Sequence, residues 1–533
     1  MPQEHHYFKI GVPEWFKYVA VITTLFPTIM VFSAATVGIP QSMGYYGISA
    51  NDVQFGMLVF YAVVVGYTPL GSNFFSRLPP VTYLWISVLL QALALYGAYQ
   101  AKSLEFLLVM RFFNAIFNTG INNICLDILF RKLKTPNARE IGYGFFYGMI
   151  LSAVVLCGLL GAYSFENQDV NSFYRFVIFS FLPGPIMLTF ILRNKPLVPF
   201  KLIRLSKMGW TDFVLLSVVM ISVGYVLIYG QELGWYDHPH IIWATVIFVI
   251  FLVLELFRLL NLENPYINLS IFKSANFRFG ILLLIILYFI RGGFNLTLTY
   301  YFEILESPVL ETNELLLFNV LGILIGCVAS TYMLIKKINI RLIWIGGFIT
   351  MFLYYGLMSF RFSLNASVED FIILLVIQGI GQGLLMNPII EFYISAVPAR
   401  LSASSATFGV MMRYVFFATS LSFISYTQIH SIAEHQQQLT QNFNSVNVHY
   451  QNYLNQMKIH FENQGILAGK SEILANSSLR KVVQKELFIE YAQNYYQWIC
   501  LLIIVTIILV ILMPTINKTV VNIKNKRPFG AGF

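Results

Sequence analysis

Charged residues are scarce in this sequence. Lys, Arg, Asp and Glu together make up 11% of its 533 residues, while hydrophobic residues make up 57%. Soluble domains carry about 25% charged residues, so this composition excludes an ordinary soluble domain. It indicates an integral membrane protein.

Cysteines and the residue clusters of enzyme sites are also rare. The four cysteines all lie inside apolar runs and show neither disulfide nor metal-ligand spacing: Cys125, Cys157, Cys327 and Cys500. The sequence contains no nucleophile–base constellation, no cluster of metal ligands and no phosphate-binding loop. We therefore expect no enzyme activity, no bound metal or cofactor, and no transport driven by ATP.

Long apolar runs dominate the sequence instead. A helix needs about 20 apolar residues to cross a bilayer. On that criterion the sequence predicts fourteen spanning helices, near residues 17–38, 53–71, 81–99, 104–127, 141–163, 173–193, 211–230, 241–260, 277–302, 313–335, 341–361, 368–390, 403–428 and 495–514.

The distribution of Lys and Arg predicts the orientation of these helices. The formal net charge is +9, and the positive residues concentrate in alternate connections such as 131–139 and 193–207. The connections between them, such as 164–172, are acidic or neutral. By the positive-inside rule both termini are predicted to be cytoplasmic, and the even number of spans agrees. The positive charge thus reflects topology, and we expect membrane lipids rather than nucleic acid as partners.

The fourth apolar run carries a polar stripe. Arg111, Asn114, Asn118 and Asn122 follow one another at steps of three and four residues, so a helix places them on one face. A charge in hydrocarbon costs several kcal/mol, so this face must contact protein or a watery cavity. We predict a role in substrate binding or gating, with helix packing as the alternative.

A pair of glycines follows the next basic loop. Gly144 and Gly148 lie four residues apart, a spacing that lets another helix backbone approach closely within a membrane. The whole stretch 104–161 is therefore predicted to form a helical hairpin that lines a polar path through the bilayer.

Two further arginines, Arg291 and Arg413, fall well inside predicted spans, without an acidic residue at similar depth. Guanidinium groups pair with carboxylates and phosphates, so such a site favours an anionic or acid-headed amphiphilic substrate over a lipophilic cation. The alternatives are structural. Arg291 can bond backbone carbonyls near Gly292 and Gly293, and Arg413 can pair with Glu391.

The acidic residues lie near the ends of the predicted spans. Glu255 lies three residues before Arg258, and Asp127 lies four before Arg131, which predicts local ion pairs. None of the eight histidines lies at a midplane position. The candidates for proton coupling are Glu303, Glu391 and Asp127.

Uncharged polar residues inside the spans supply further candidates for substrate contacts. They are Asn295, Gln378, Gln382 and Tyr61. The alternative for the amides is interhelical hydrogen bonding, and for the tyrosine it is packing.

Several motifs together resemble one family. They are Ile39-Pro40, Tyr61 with Pro69 and Gly71, Arg111, the run FYRFVIFSFLPGPI, and the run IQGIGQGLLMNPII followed by Arg413. This set resembles the fourteen-helix drug:proton antiporter branch of the major facilitator superfamily. The resemblance covers nearly the whole chain.

The sequence departs from the motifs of that branch at several points. Phe75 stands where the loop after helix 2 has an aspartate, and Arg77 alone represents the following Gly-Arg-Arg run. In helix 5, Gly158 and Gly161 are present but the proline of the antiporter motif is absent. Val31 occupies the position of the helix 1 aspartate. These departures affect proton coupling rather than the fold.

The resemblance implies an all-α polytopic protein with the major facilitator fold: two six-helix bundles plus an inserted helix pair. The corresponding regions are a tail 1–16, a bundle 17–195, a basic linker and helix pair 196–276, a bundle 277–514 that includes a polar extracytoplasmic loop 429–494, and a basic tail 515–533. Apolar residues recur at helical spacing over 474–491, which predicts that part of the loop is an amphipathic helix. The loop is expected to contact a periplasmic partner, to cap the outer mouth, or to be a solvated spacer.

The resemblance also implies a function. It predicts a secondary transporter of the bacterial inner membrane that exports a small molecule by alternating access and couples export to protons. Two alternatives stay open: a carrier without proton coupling or for uptake, and a protein without transport that serves as a scaffold or sensor through the 429–494 loop.

Overall fold

The structure is a computed structural model that describes residues 8–9, 11–34, 39–75, 78–132, 138–167, 170–194, 209–262, 265–442 and 448–513. Its N-terminal helices are α1 (Glu14–Ser33), α2 (Ile39–Tyr46), α3 (Ala50–Phe75), α4 (Pro80–Tyr99), α5 (Leu104–Lys132), α6 (Ala138–Asn167), α7 (Ser172–Ser180) and α8 (Pro183–Ile191). A central pair follows, α9 (Trp210–Tyr229) and α10 (Pro239–Asn261). The C-terminal helices are α11 (Ala275–Gly292), α12 (Phe294–Thr299), α13 (Val309–Leu315), α14 (Leu317–Ile335), α15 (Ile340–Ser359), α16 (Ile372–Ser395), α17 (Ser402–Asn442), α18 (Val448–Asn463) and α19 (Ala468–Leu512).

The structure confirms the fourteen predicted spans. Within the described residues, fourteen helical stretches are long and apolar enough to cross a membrane, and each overlaps one predicted run. Three of them contain two consecutive α-helices rather than one: Ser172–Ile191, Ala275–Ile304 and Val309–Ile335. In the first of these, Pro183 stands at the start of α8 and lacks the backbone N–H that would continue α7.

The span Ala275–Ile304 is broken at its centre, between Gly292 and Phe294. Hydroxyl groups of neighbouring helices bond the carbonyls around the break. Tyr496 donates to Gly293 at 3.0 Å, and Tyr355 donates to Ile290. Such bonds let an interrupted helix persist at membrane depth, because every freed carbonyl must find a donor within the protein.

Glycines let helices pack closely in two places, in one against a neighbouring backbone and in the other against neighbouring side chains. On α14 and α16, a Cβ added at Gly322 would lie 3.1 Å from Gly379 Cα, and one added at Gly326 would lie 3.0 Å from Gly383 Cα. Small residues at such a contact let two backbones approach within van der Waals range. The two helices are therefore held by packing that any larger side chain would disturb.

The second glycine contact corrects the predicted hairpin. Gly144 faces Thr331, and a Cβ at Gly148 would lie 3.6 Å from Cys327 Sγ, so the close partner of α6 is α14. By contrast, α5 packs mainly against α3 and α4. The spacing correctly predicted a close approach, but α5 and α6 do not form one tightly packed hairpin.

The segment predicted as a polar loop, 429–494, is mostly helical in its described residues. No Gly or Pro interrupts 410–464, and α17 continues to Asn442, about 60 Å from its start. α18 and the first half of α19 complete this extension, which we call the helical extension (residues 429–442, 448–463 and 468–494). The amphipathic helix predicted over 474–491 is confirmed as part of α19.

A histidine–carboxylate contact holds the helical extension together, and an ion pair joins it to the C-terminal helices. His435 Nε2 lies 3.0 Å from Glu490, which links α17 to α19. Lys485 Nζ lies 2.8 Å from Glu306 in the connection before α13. This lysine is the cause of a lowered pKa at the Glu306 carboxyl, through a hydrogen bond and its charge.

Candidate functional site

The N-terminal and C-terminal helices meet along two main contacts. α6 packs against α14, and α3 packs against α17. The central helix α9 packs against both α3 and α17. A substrate path between two groups of helices must run along such contacts, so the charged residues there are the first candidates for a site.

Side chains from five helices converge at this interface. We call them the tyrosine–arginine cluster, which consists of Tyr61 (α3), Tyr147 (α6), Tyr288 and Arg291 (α11), Tyr393 (α16), and Arg413 and Tyr414 (α17). Two of the three sequence-predicted arginines therefore lie in one place.

Arg413 is buried and bonds across the interface. Its Nη1 donates to the Tyr147 hydroxyl at 3.3 Å, and its guanidinium carbon lies 5.5 Å from the centre of that ring. Its Nε donates to the carbonyl of Gly409 on its own helix at 3.2 Å. Arg413 lies eleven residues into α17, about 16 Å along its axis, which is close to half of a hydrocarbon core about 30 Å thick.

Arg291 has fewer partners. It lies one residue before the break in its span, with its guanidinium carbon 5.1 Å from the centre of the Tyr288 ring. Its Nε is buried and has no hydrogen-bond partner, and the described residues form no ion pair with it or with Arg413. The predicted structural alternative, bonds from Arg291 to carbonyls near Gly292, is not observed.

Tyr61 lies near both arginines. Its ring packs edge-on against Tyr414 at 5.4 Å and against Phe32 at 4.9 Å. Both Arg291 and Arg413 are within electrostatic reach of its hydroxyl. Aromatic faces attract cations, so these rings stabilise the guanidinium groups in the absence of carboxylates.

The predicted amides are divided between two roles. Gln378 is fully buried and accepts a hydrogen bond from Asn319 of α14, so it joins two helices as the alternative interpretation holds. Gln382 is also buried, one turn further along α16. Asn295 lies half-buried just after the helix break, and makes no hydrogen bond within the described part of the chain.

Arg111 lies elsewhere. It lines a small recess among the N-terminal helices, together with Tyr46, Asp52, Asn171 and Tyr174. Its Nη2 donates to the Tyr174 hydroxyl at 2.6 Å. Burial raises the pKa of Tyr46, so this hydroxyl stays neutral and donates to Asn171 Oδ1 at 2.6 Å.

The asparagines that share the stripe with Arg111 bond to neighbouring helices. Gln91 of α4 donates to Asn114 at 3.1 Å, Asn118 donates to the carbonyl of Thr28 on α1 at 3.0 Å, and the Thr28 hydroxyl donates to Asn122 at 3.0 Å. These three residues therefore join α5 to α4 and α1, as expected for helix packing, and their role in substrate binding or gating stays a prediction.

The acidic candidates occupy different environments. Glu391 is buried on α16, whereas Glu303 is exposed in the π-helical turn Tyr300–Ile304. Asp127 lies on α5, and its side chain falls outside the part of the structure that is described. The predicted pair between Glu255 and Arg258 does not form, because Arg258 Nε bonds Asp212 at 2.9 Å instead.

Sequence reasoning missed several members of the cluster. Tyr147, Tyr393 and Tyr414 come from three helices that are distant in sequence, so no local pattern unites them. Two signals were present: Tyr147 precedes Gly148 of the close-approach pair, and Tyr414 directly follows Arg413.

Fourteen candidate spans in the described residues define a class, the multi-pass helical membrane proteins, and five of the helices contribute to the buried tyrosine–arginine cluster. The comparison with known families is more specific. The chain belongs to the Major Facilitator Superfamily, whose family model matches residues 21–420. It is therefore an integral multi-pass membrane protein of a transporter family.

Two curated relatives are multidrug export proteins. The chain is 25% identical over 280 residues to "Multidrug export protein EmrB" of Escherichia coli K12. The aligned residues cover 52% of this chain and 53% of that protein. It thus spans about half the length of that relative. It is 21% identical over 453 residues to the EmrB protein of Haemophilus influenzae, covering 82% of this chain and 85% of that one.

Solved structures share the fold. A POT family transporter in complex with 5-aminolevulinic acid aligns with a TM-score of 0.57 and 14% identity, over 94% of this chain and 97% of its own. A bacterial homolog of the human lysosomal transporter Spinster aligns with a TM-score of 0.52 and 12% identity, over 98% of this chain and all of its own.

Proposed function

We propose that this protein is a secondary active transporter of the bacterial inner membrane, which exports an anionic or acid-headed amphiphilic molecule by alternating access with proton coupling. The observation that carries the proposal is the pair of arginines at the interface, Arg291 and Arg413, with no ion pair to either in the described residues. The printed names of the relatives, multidrug export proteins, support export.

The charge of the site favours an anion. Burying an unpaired guanidinium inside a membrane protein costs several kcal/mol, and an incoming carboxylate or phosphate offsets that cost by bidentate hydrogen bonds. Arg291 has the donor capacity for this, because its Nε is unpaired. A lipophilic cation would meet two positive charges and find no carboxylate among the described partners of either arginine.

The aromatic surroundings favour an amphiphile over a small inorganic anion. The Tyr147 ring faces the guanidinium of Arg413 and the Tyr288 ring faces that of Arg291, and Tyr61 lies within electrostatic reach of both arginines. An apolar ligand body packs well on such rings, while its acidic head meets a guanidinium.

Alternating access requires the contacts across the interface to open and close. The bond from Arg413 to Tyr147 and the close packing of Gly148 on Cys327 both join N-terminal to C-terminal helices. In this mechanism the contacts break as one group of helices rocks against the other, and the arginines then face the opened path.

Proton coupling needs a titratable group. Glu391 on α16 is the buried candidate, with Glu303 and Asp127 nearer the span ends. The acidic group of the substrate is a further proton carrier. Substitution of Glu391 by Gln is expected to abolish proton flux only if this residue carries the proton.

The helical extension is our candidate for contact with a periplasmic partner. Ile459, Leu467 and Ile473 lie on or near its helices with 56%, 76% and 69% of their surface exposed. Large apolar residues with this much exposure are the candidates for a contact with another protein.

The test uses purified protein in liposomes with an imposed pH gradient. Internal pH is recorded while amphiphilic anions and lipophilic cations are added, with Arg291→Ala beside the wild type. We expect anions to trigger proton flux and Arg291→Ala to abolish it. The matched control is Arg361→Ala, which removes an exposed arginine and should leave flux unchanged.

Other outcomes separate the alternatives. Flux triggered by cations would refute the anionic substrate. Uptake of radiolabelled anion without proton flux would identify an uncoupled carrier. If folded protein moves neither, and Ile473→Lys abolishes a cellular phenotype that Arg291→Ala leaves intact, the scaffold interpretation replaces transport.

A further inference from the structure

The central helix pair contains a buried carboxyl group that the proposed transport site does not use. Glu255 on α10 is 3% exposed, and neither of its carboxyl oxygens has a hydrogen-bond partner. Three residues later on the same helix, Arg258 bonds the carboxylate of Asp212 through Nε at 2.9 Å and Nη2 at 3.3 Å.

The groups that face Glu255 come from three elements. Asp212 of α9 and Arg258 of α10 are its charged neighbours, and Tyr266 lies in the segment that follows α10. The Tyr266 hydroxyl is already occupied, because it donates to the carbonyl of Gly66 and accepts from the N–H of Leu70 at 3.1 Å. Within the described part of the chain, no group therefore donates a hydrogen bond to Glu255, and the nearby guanidinium of Arg258 is already bonded to Asp212.

An ionised carboxylate in this position is unfavourable for two reasons. A buried charge without hydrogen bonds loses its hydration and gains nothing in exchange. The charge would also add to that of Asp212 beside a single arginine. From this geometry we infer that Glu255 is a neutral carboxyl that holds a proton, a proton-binding site in the central helix pair and separate from the tyrosine–arginine cluster.

The helix α9, which carries the neighbouring Asp212, contacts the interface between the N-terminal and C-terminal helices. α9 packs closely on α3, where a Cβ added at Gly66 would lie 3.2 Å from the carbonyl of Phe213. It also receives a hydrogen bond from Tyr414 of the cluster, whose hydroxyl donates to the carbonyl of Met220 at 2.6 Å. Release of the proton would place two carboxylates in competition for Arg258 and loosen its bond to Asp212, next to these contacts.

The first test is infrared spectroscopy of the full-length protein in liposomes. We expect an absorption band of a buried, protonated carboxyl in the wild type at neutral pH, and its loss in Glu255→Gln. Asp212→Asn should weaken the same band, because it frees Arg258 to pair with an ionised Glu255. Glu314→Gln removes an exposed carboxyl and should leave the band intact.

The second test is thermal unfolding against pH. If native Glu255 holds a proton that the unfolded chain releases above about pH 4.3, the unfolded state binds fewer protons and the free energy of unfolding falls as pH rises. Glu255→Gln should remove that part of the fall and keep wild-type stability at low pH, because a neutral amide replaces a neutral acid of the same shape.

Three results would overturn the inference: no protonated band in the wild type, a band unchanged in Glu255→Gln, or a Glu255→Gln protein that fails to fold at low pH. Neither test measures transport. A failure of this inference therefore leaves the proposed transport of anions intact. Equally, a failure of the transport proposal leaves this inference intact.

Discussion

Removal of the Tyr147 hydroxyl should open the interface between N-terminal and C-terminal helices. Tyr147→Phe deletes the acceptor of the 3.3 Å hydrogen bond from Arg413, while the ring stays beneath the guanidinium. Hydrogen bonds to charged groups contribute about 1.5–3 kcal/mol, and the length of this one places it near 1.5. If the bond exists only in the closed arrangement, its loss raises the open population about tenfold.

Two native cysteines supply the assay. Cys327 is buried where α14 meets Gly148 of α6, so a membrane-permeant maleimide reaches it only when the interface separates. Cys125 is buried on α5 within the N-terminal helices and serves as an internal reference. We expect Tyr147→Phe to raise the labelling rate of Cys327 about tenfold and to leave that of Cys125 unchanged.

The control lies in the same cluster. Tyr288→Phe also removes a hydroxyl beside an arginine, but this hydroxyl makes no hydrogen bond within the described residues, so the labelling rate of Cys327 should not change. The reasoning is refuted if Tyr147→Phe leaves Cys327 as slow as in the wild type. It is also refuted if both cysteines become faster together, because that result shows general loosening.

Three further predictions address packing, charge geometry and pH. Gly383→Val should lower the thermal stability by about 1–3 kcal/mol, because the added side chain overpacks the contact between α14 and α16. Gly346→Val, at a glycine with open space around it, should change the stability little. Equal melting temperatures for the two variants would contradict this prediction. Arg291→Lys keeps the charge but loses the planar fork, so it should retain little of the wild-type anion affinity in a transport competition assay; full affinity would show that charge alone suffices. Because Lys485 lowers the pKa of Glu306, their interaction stabilises the protein at neutral pH, and this contribution is lost as pH falls through the acidic range. Glu306 is exposed, so Glu306→Gln should lower the stability by less than about 1 kcal/mol at neutral pH in a melting experiment. A larger loss would refute a solvent-screened pair.

The membrane architecture was predictable because its signals are local. Each span is a run of about 20 apolar residues, which can be read without knowing its neighbours. The close approach at Gly144 and Gly148 follows from spacing alone, although the identity of the partner helix, α14, does not. The helical extension was less predictable, because a polar helix has no apolar run and differs from a loop mainly by lacking Gly and Pro.

The grouping of the candidate functional residues could not be predicted from the sequence. The sequence by itself determined that Arg111, Arg291 and Arg413 lie inside apolar spans and must face protein, because hydrocarbon does not tolerate their charge. Only the tertiary structure decided that two of them share the tyrosine–arginine cluster while Arg111 lines a separate recess. Likewise, helix spacing predicted an ion pair between Glu255 and Arg258. In the structure α9 packs on α10, and Arg258 pairs with Asp212 instead. The physical reason is the same in both cases. A charged side chain interacts with the groups that the folded chain places near it in space, and these need not be its neighbours in sequence.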